Sequence, residues 1–288
     1  MSLLGLWVGI CAAEPAAVSD AVIPFQLVNQ FLVVVQVHIG TSGPYRFVVD
    51  TGANVSIIDS QLARELKLRG SDRTAMQTPA GTTKVELAEL PLVKTGFVGV
   101  RGLQVAVQAM REMHEIDPQI RGVLGANFLS RFDYQFDYRY RQILVDLDHS
   151  RTEMLEGARL PLRHDCGDDS DVLEITVQSH GNTLPAKLRL KLDSGTRIGA
   201  VFSREAKARA EMLGGVSYRA INDSGSSEAK LVSVQVTVGQ KSFSSVNFLL
   251  MDERRDRTCF DGLLPESLLK NVYVSHSGGF AIVQPFEY

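Results

Sequence analysis

The chain has 288 residues, with 30 basic and 33 acidic side chains and a formal net charge of −3. A hydrophobic fraction of 44% is normal for a globular protein and excludes intrinsic disorder. The near-neutral charge balance lacks the basic surface expected of a nucleic-acid binder. No apolar run reaches the roughly 18 residues needed to cross a bilayer. We therefore expect no nucleic-acid partner and no stable membrane span.

The N-terminal stretch from Leu3 to Ala13 is apolar and ends in small residues. A short apolar core followed by small residues is typical of a secretory signal, although no Lys or Arg precedes this one. A frayed N-terminal segment or a misplaced start is the alternative. We predict a signal segment over residues 1–20 and export to the periplasm or the medium.

Few residues suggest a metal or redox site. Beyond the predicted signal segment only Cys166 and Cys259 remain, and their positions are compatible with one disulfide or with two free thiols. No Cys or His spacing is typical of a zinc site. We interpret His38 as structural, His114 as part of a surface loop and His276 as part of a turn. The sequence predicts no metal and no cofactor.

The chain repeats itself once. Residues 45–53 (YRFVVDTGA) and 188–196 (LRLKLDSGT) are alike, and three landmarks recur at an offset of about 140 residues: Asp50 with Asp193, Gly81 with Gly225, and Leu129 with Leu269. We predict an N-terminal lobe over residues 21–150, a linker over 151–159 and a C-terminal lobe over 160–288.

Strand patterns dominate both halves. Residues 32–39 form a β-branched run closed by a turn at 40–44, and residues 172–177 are its counterpart. Ser60 and Ser203 are predicted N-caps of two short helices. The sequence predicts a mainly β fold.

An aspartate ends an apolar strand twice and is followed each time by a hydroxyl residue and a glycine. Asp50 and Asp193 have this context, whereas Asp223 begins a third Asp-Ser-Gly that lacks a preceding apolar strand and is predicted to be a turn. A carboxylate at the edge of a core must be hydrogen-bonded or paired. If the halves pack about a pseudo-twofold axis, the two carboxyls meet about 3 Å apart and share one proton.

Together these motifs resemble an aspartic peptidase, specifically a bacterial-type retropepsin-like family with two lobes in one chain, over about residues 22–288. Residues 50–53 (DTGA) are similar to the retropepsin motif, and residues 193–196 (DSGT) to the pepsin form. The sequence at 123–125 (VLG) matches the element that crosses behind the catalytic turn. The resemblance implies two homologous pepsin/retropepsin-like β-barrel lobes related by a pseudo-twofold axis, with a few short helices.

The same resemblance implies roles for individual residues. Asp50 and Asp193 would be catalytic, and Thr51, Gly52, Ala53, Ser194, Gly195 and Thr196 would brace the two turns and orient the dyad. Thr78, Pro79, Ala80 and Gly81 lie where the family has its substrate-covering flap. A peptide or protein would be the substrate, and the site would not require dimerisation.

Some residues depart from the family pattern. Pro265 replaces the expected glycine of the second crossing element, and no tyrosine lies near Gly81. Lys191 alternates with leucines and is expected to face away from the core; otherwise it would depress the pKa of the dyad. Thr196 is expected to donate to the Asp193 carboxylate, so Asp193 is predicted to carry the charge and Asp50 the shared proton.

The sequence thus favours an aspartic endopeptidase in which a shared-proton dyad activates a water. The main alternative is a catalytically inactive peptide-binding protein on the same scaffold, since fold alone does not fix function. A weaker alternative is two independent β modules without a composite site. The separation of the Asp50 and Asp193 carboxyls distinguishes the last alternative from the other two.

Overall fold

The computed structural model describes residues 20–78, 81–153, 155–163, 171–178, 185–202, 216–222, 225–239, 241–251 and 259–285. Most of the predicted signal segment, Cys11, Cys166 and the helix predicted after Ser203 lie outside these ranges. Within them the chain is mainly β, as the sequence predicts.

The strands follow one another with few helices between them. In chain order they are β1 (Asp20–Pro24), β2 (Gln26–Val28), β3 (Leu32–Ile39), β4 (Ser42–Val49), β5 (Ser56–Asp59), β6 (Gly70–Thr78), β7 (Gly81–Thr95), β8 (Val98–Gln108), β9 (Ile120–Leu124), β10 (Asp133–Asp137), β11 (Gln142–Asp146), β12 (Ala158–Pro161), β13 (Val172–Gln178), β14 (Ala186–Asp193), β15 (Gly199–Val201), β16 (Val216–Asn222), β17 (Gly225–Val238), β18 (Lys241–Leu250), β19 (Gly262–Pro265), β20 (Leu269–Ser275) and β21 (Phe280–Pro285). The described helices are α1 (Ser60–Glu65), α2 (Arg111–Ile116) and α3 (Ala126–Leu129), with 3-10 turns at Arg151–Glu153 and Glu266–Leu268.

Each half of the chain folds into its own sheet. The first has the order β2-β3-β4-β9-β5-β8-β7-β6, and the second has the order β13-β14-β19-β15-β18-β17-β16. Inside each sheet the strand that leads to an aspartate pairs in parallel with a later strand, β4 with β9 and β14 with β19. The two sheets therefore repeat one topology, in agreement with the internal repeat of the sequence.

A third sheet joins the two halves. Its order is β1-β11-β10-β20-β21-β12, so three strands from the first half meet three from the second. The junction is the antiparallel pair β10–β20, in which Phe136 lies opposite Val272. Both side chains are fully buried, and one continuous apolar cluster extends from Ala21 to Val283. The halves are thus two lobes on a shared core rather than independent modules.

The hairpin predicted as a flap is formed by β6 and β7. Thr78 pairs with Gly81 at its end, while Pro79 and Ala80 lie outside the described residues. Its counterpart in the second lobe is the β16–β17 hairpin, where Asn222 pairs with Gly225. Asp223 and Ser224 also lie outside the described residues.

Several local predictions were wrong. The N-cap of α1 is Asp59, not Ser60, because the Asp59 carboxylate accepts hydrogen bonds from the amides of Gln61 and Leu62. His114 lies in α2 rather than in a loop, and its Nε2 bonds to the carbonyl of Ile120. His38 is the last residue but one of β3 and is exposed.

The segment predicted as a linker, residues 151–159, contains one 3-10 turn and the start of β12. No helix in the described part of the chain is long and apolar enough to span a membrane.

Candidate active site

The two aspartates stand at the ends of matching strands. Asp50 follows β4, and its amide donates to the Leu124 carbonyl of β9 at 2.9 Å. Asp193 ends β14 and lies opposite Pro265 of β19 in the parallel pair. Each aspartate therefore leaves its sheet where a neighbouring strand fixes the backbone, and both turns meet between the lobes.

Two crossed hydroxyl groups hold these turns together. The amide of Thr51 donates to Ser194 Oγ at 3.1 Å, and the amide of Ser194 donates to Thr51 Oγ1 at 3.0 Å. Each hydroxyl also reaches the opposite strand: Ser194 Oγ donates to the Val49 carbonyl at 2.8 Å, and Thr51 Oγ1 lies 3.1 Å from the Leu192 carbonyl. Both side chains are buried. We call this set of bonds the Thr51–Ser194 brace.

The glycines of the two turns let the carboxyls approach. The Gly52 amide donates to Asp50 Oδ1 and the Gly195 amide to Asp193 Oδ1, both at 2.8 Å. A Cβ on Gly52 would lie 2.5 Å from Cγ of Asp193, and one on Gly195 would lie 2.7 Å from Cγ of Asp50. Because real Cβ contacts are longer than 3.0 Å, a side chain at either position would displace the carboxyl of the opposite turn. The geometry brings the two carboxyls into hydrogen-bond contact with each other.

The comparisons with known proteins agree with this geometry over the first lobe. Residues 35–128 match the sequence model of a family described as aspartyl protease. Over these residues the N-terminal lobe is similar to the aspartyl protease family. The match contains Asp50, the β6–β7 hairpin and β9, and it ends before Asp193. A search of curated proteins finds no match to the chain.

The two carboxyls, which we call the dyad, differ in the pKa shifts that their surroundings cause. Burial, and then the charge of Asp50, raises the pKa of Asp193 to about 8. Burial also raises the pKa of Asp50, but the Gly52 amide, Lys191 and the Ala53 amide oppose that rise. The hydrogen bond between the carboxyls lowers the pKa of Asp50 and raises that of Asp193. These shifts favour the shared proton on Asp193 and the charge on Asp50.

This assignment reverses the one predicted from the sequence. The prediction relied on a hydrogen bond from Thr196 to the Asp193 carboxylate, but the Thr196 hydroxyl instead donates to the Ile198 carbonyl at 2.9 Å. Thr196 thus braces its own turn and does not orient the dyad. The charged form of Asp50 is favoured first by the Gly52 amide, then by the charge of Lys191 and then by the Ala53 amide.

Lys191 was predicted to face away from the core, and this prediction was wrong. Its side chain is only 1% exposed, and its Nζ donates to Asn54 Oδ1 of the first lobe. The Nζ also lies 5.8 Å from the centre of the Phe260 ring. From this position its charge lowers the pKa of both dyad carboxyls, as expected for an inward-facing lysine. A cation beside the dyad favours its singly ionised form.

Pro265 does not disrupt the second crossing element. The first-lobe equivalent of Pro265 is Gly125, whose amide donates to Ser56 Oγ at 3.0 Å. The first lobe therefore needs an N–H at this position. In the second lobe Gly199 begins β15 where Ser56 begins β5, so donor and acceptor are both missing. The backbone φ of Pro265 is −61°, which proline adopts without strain.

A partly buried ion pair joins His276 to Asp171. His276 Nε2 is 2.9 Å from Asp171 Oδ1, and His276 Nδ1 is 2.7 Å from the Phe132 carbonyl. Nδ1 must donate to the carbonyl, and Nε2 must donate to the carboxylate, so the ring carries both protons. Burial alone would lower the pKa of His276, but the bond and charge of Asp171 raise it above its usual value. Its place in the Ser275–Gly279 turn was predicted; its partner was not.

Cys259 is disulfide-bonded, so of the two alternatives the disulfide holds at this cysteine. Among the described residues no group of three or more His, Cys, Asp and Glu is arranged to hold a metal ion.

Replacing Gly52 with alanine tests the packing of the dyad. The new Cβ must displace the Asp193 carboxyl, and a displacement of about 1 Å at a reacting group can cost about 100-fold in rate. We expect G52A to lower kcat/KM for peptide cleavage at least that much. Gly99→Ala is the matched control, since a Cβ there meets only ordinary contacts of 3.4 Å or more. Equal activity in the two variants would contradict the prediction.

Replacing Lys191 tests the buried cation. Its charge lowers the pKa of both aspartates, so its loss raises both. Activity requires one ionised carboxyl, and K191M should therefore move the acid limb of the kcat/KM profile to higher pH. Lys191→Arg keeps the cation and should move the limb less. Lys187→Met, at an exposed position on the same strand, should leave it in place. An unmoved limb in K191M would refute the assignment.

Proposed function

We propose that this protein is an aspartic endopeptidase that hydrolyses peptide bonds with a water activated by Asp50 and Asp193. The family of the first lobe supports a peptidase at the coarse level. The observation that carries the finer proposal is the pair of facing carboxyls, one from each lobe, joined by a hydrogen bond and cradled by the amides of Gly52 and Gly195. One chain supplies both, so catalysis would need no second copy.

The proposed reaction uses the two carboxyls in different roles. Ionised Asp50 accepts a proton from a water, and the resulting hydroxide oxygen bonds to the carbonyl carbon of the scissile peptide. Protonated Asp193 gives its proton to the carbonyl oxygen, which forms a neutral tetrahedral intermediate. Asp50 then passes its proton to the amide nitrogen, the C–N bond breaks, and Asp193 recovers a proton as the new carboxyl group forms. The dyad thus returns to its starting state with one water consumed.

The substrate would be an extended peptide. The strand β6 lies at the end of the first-lobe sheet and pairs only with β7 among the described strands. A strand with a free edge can accept an extended peptide through backbone hydrogen bonds. We propose that the β6–β7 hairpin is the substrate-covering flap, so that Thr78, Pro79, Ala80 and Gly81 lie near the substrate; the pairing of Thr78 with Gly81 supports a hairpin there.

Cleavage of a diverse peptide mixture from acid to neutral pH, read by mass spectrometry, tests this function. We expect Asp50→Asn and Asp193→Asn each to lower cleavage about 10³-fold or more, because each removes one of the two proton-transfer groups. Asp223→Asn is the matched control: it changes the third Asp-Ser-Gly of the sequence and should leave cleavage unchanged.

The outcomes separate the proposed function from its main rival. Loss of cleavage in both dyad variants but not in D223N would support the composite dyad. Folded wild-type protein that binds peptides without cleaving them at any pH would instead support the inactive peptide-binding protein.

We also propose that the protein is exported, to the periplasm or the medium. The apolar segment from Leu3 to Ala13 and the disulfide at Cys259 both support this, since disulfides persist in oxidising compartments. Fractionation of expressing cells should recover the chain outside the cytoplasm. Recovery of the chain only from the reducing cytoplasm would contradict the proposal.

A further inference from the structure

A third carboxyl lies directly beneath the dyad. Glu266 follows Pro265, which is the β19 residue opposite Asp193, and it is fully buried. Its Oε1 is 2.7 Å from Oγ1 of Thr51, across the lobe interface. Neither its Oε2 nor the Tyr138 hydroxyl has a hydrogen bond of normal geometry within the described part of the chain, although the two groups interact. No motif in the sequence singles out this glutamate.

The hydrogen bonds at Thr51 Oγ1 determine whether the Glu266 carboxyl is protonated. Thr51 Oγ1 accepts the amide hydrogen of Ser194, and it lies within hydrogen-bond distance of the Leu192 carbonyl and of Glu266. A hydroxyl has one hydrogen, and both a carbonyl and a carboxylate only accept. The two contacts can both be bonds only if Glu266 is protonated and donates to Thr51, which then donates to Leu192.

We propose that Glu266 is a proton-holding positioning residue, whose protonated carboxyl keeps the Thr51–Ser194 brace closed beneath the dyad. When Glu266 loses its proton, the Thr51 hydroxyl turns to the carboxylate and the Leu192 carbonyl loses its donor. One arm of the brace then opens, and a negative charge appears beside the dyad. The proposal rests on the proposed peptidase function for its effect on catalysis, though not for the protonation itself.

The surrounding charges favour the protonated form. Burial raises the pKa of Glu266 to about 8, the Thr51 bond opposes this, and the charges of Asp171, Asp193 and Asp50 add to the rise. The other ionisable groups in this region are Tyr138 and Tyr134, Lys191 beside the dyad, and His276, which is paired with Asp171.

The first lobe offers an internal comparison. Ala126 follows Gly125 as Glu266 follows Pro265, and it begins α3 where Glu266 begins a 3-10 turn. Ser194, the counterpart of Thr51, donates to the Val49 carbonyl at 2.8 Å with no carboxyl beside it in the described structure. The Ser194 arm of the brace therefore forms without a carboxyl partner. The Thr51 arm, in contrast, depends on the protonation of Glu266.

The experiment compares wild type with Glu266→Gln, whose amide donates to Thr51 at every pH. Below pH 6 we expect kcat/KM of E266Q within about 2-fold of wild type. Above neutral pH, log(kcat/KM) of wild type should fall with pH with a limiting slope of −2, because the dyad and Glu266 each lose one proton. For E266Q the limiting slope should be −1, because only the dyad loses a proton. A merely structural role would lower the rate equally at all pH values.

A second readout does not depend on activity. The pKa of Glu266 is higher in the folded chain than its ordinary value of 4.5, so the folded state holds a proton that the unfolded state releases. Relative to E266Q, the free energy of unfolding of wild type should decrease as the pH rises from 4.5 to about 8. The slope of this decrease should correspond to the release of up to one proton on unfolding. Glu115→Gln removes an exposed carboxyl from α2 and is the control that should follow wild type.

The results distinguish this proposal from the proposed function. Coincident unfolding slopes in wild type and E266Q would overturn the protonated Glu266. Different slopes with coincident activity profiles would overturn its positioning role. Different slopes with no cleavage by wild type would refute the peptidase while the protonation stands. If E266Q does not fold, the infrared band of a protonated carboxyl in D193N at pH 6 replaces it, and absence of that band overturns the proposal.

Discussion

Two carboxyl groups in contact inside a protein repel each other when both are ionised. The contacts between the two lobes hold these carboxyls together and offset that repulsion. The Thr51–Ser194 brace holds the two turns against each other and so keeps the carboxyls close. The amides of Gly52, Gly195 and Ala53 stabilise what negative charge remains, and the buried ammonium of Lys191 adds a compensating cation. One shared proton removes the rest of the repulsion. The brace and the facing of the two carboxyls need atoms from both lobes, so the site exists only in the assembled fold.

Much of this could be predicted from the sequence because it depends on local patterns. Apolar strands ending in Asp50 and Asp193 give the strand ends, and the glycine two residues later gives the tight turn. The repeat gives the pseudo-symmetry, and with it the meeting of the two turns. The hairpin at Thr78 and Gly81 follows from turn residues flanked by strands.

Lys191 was misplaced and Glu266 was missed because their partners are distant in sequence, whereas the error at Thr196 concerns a near neighbour. Strand alternation placed Lys191 on the outer face, but that face of β14 is covered by an apolar cluster that includes Val172 and Phe260. Thr196 was assigned to the carboxylate although a nearer backbone carbonyl, that of Ile198, takes its hydrogen. Glu266 carries no signal at all, because its partner Thr51 lies 215 positions earlier in the chain. Alternation and spacing describe one strand at a time and do not report what packs against it.

The junction of β10 with β20 has a consequence for how such a chain could arise. Three strands from each lobe continue one sheet across the pseudo-twofold axis, so a single lobe would leave the edge of β10 open. Two identical copies could close that edge against each other, which makes a symmetric homodimer the natural precursor of a fused gene. In such a homodimer any residue beneath the dyad appears twice, and a glutamate at both the Ala126 and Glu266 positions would bury two more carboxyls beside the first two. In a fused chain the two halves can differ in sequence, so an acidic side chain can be present on one side of the axis only.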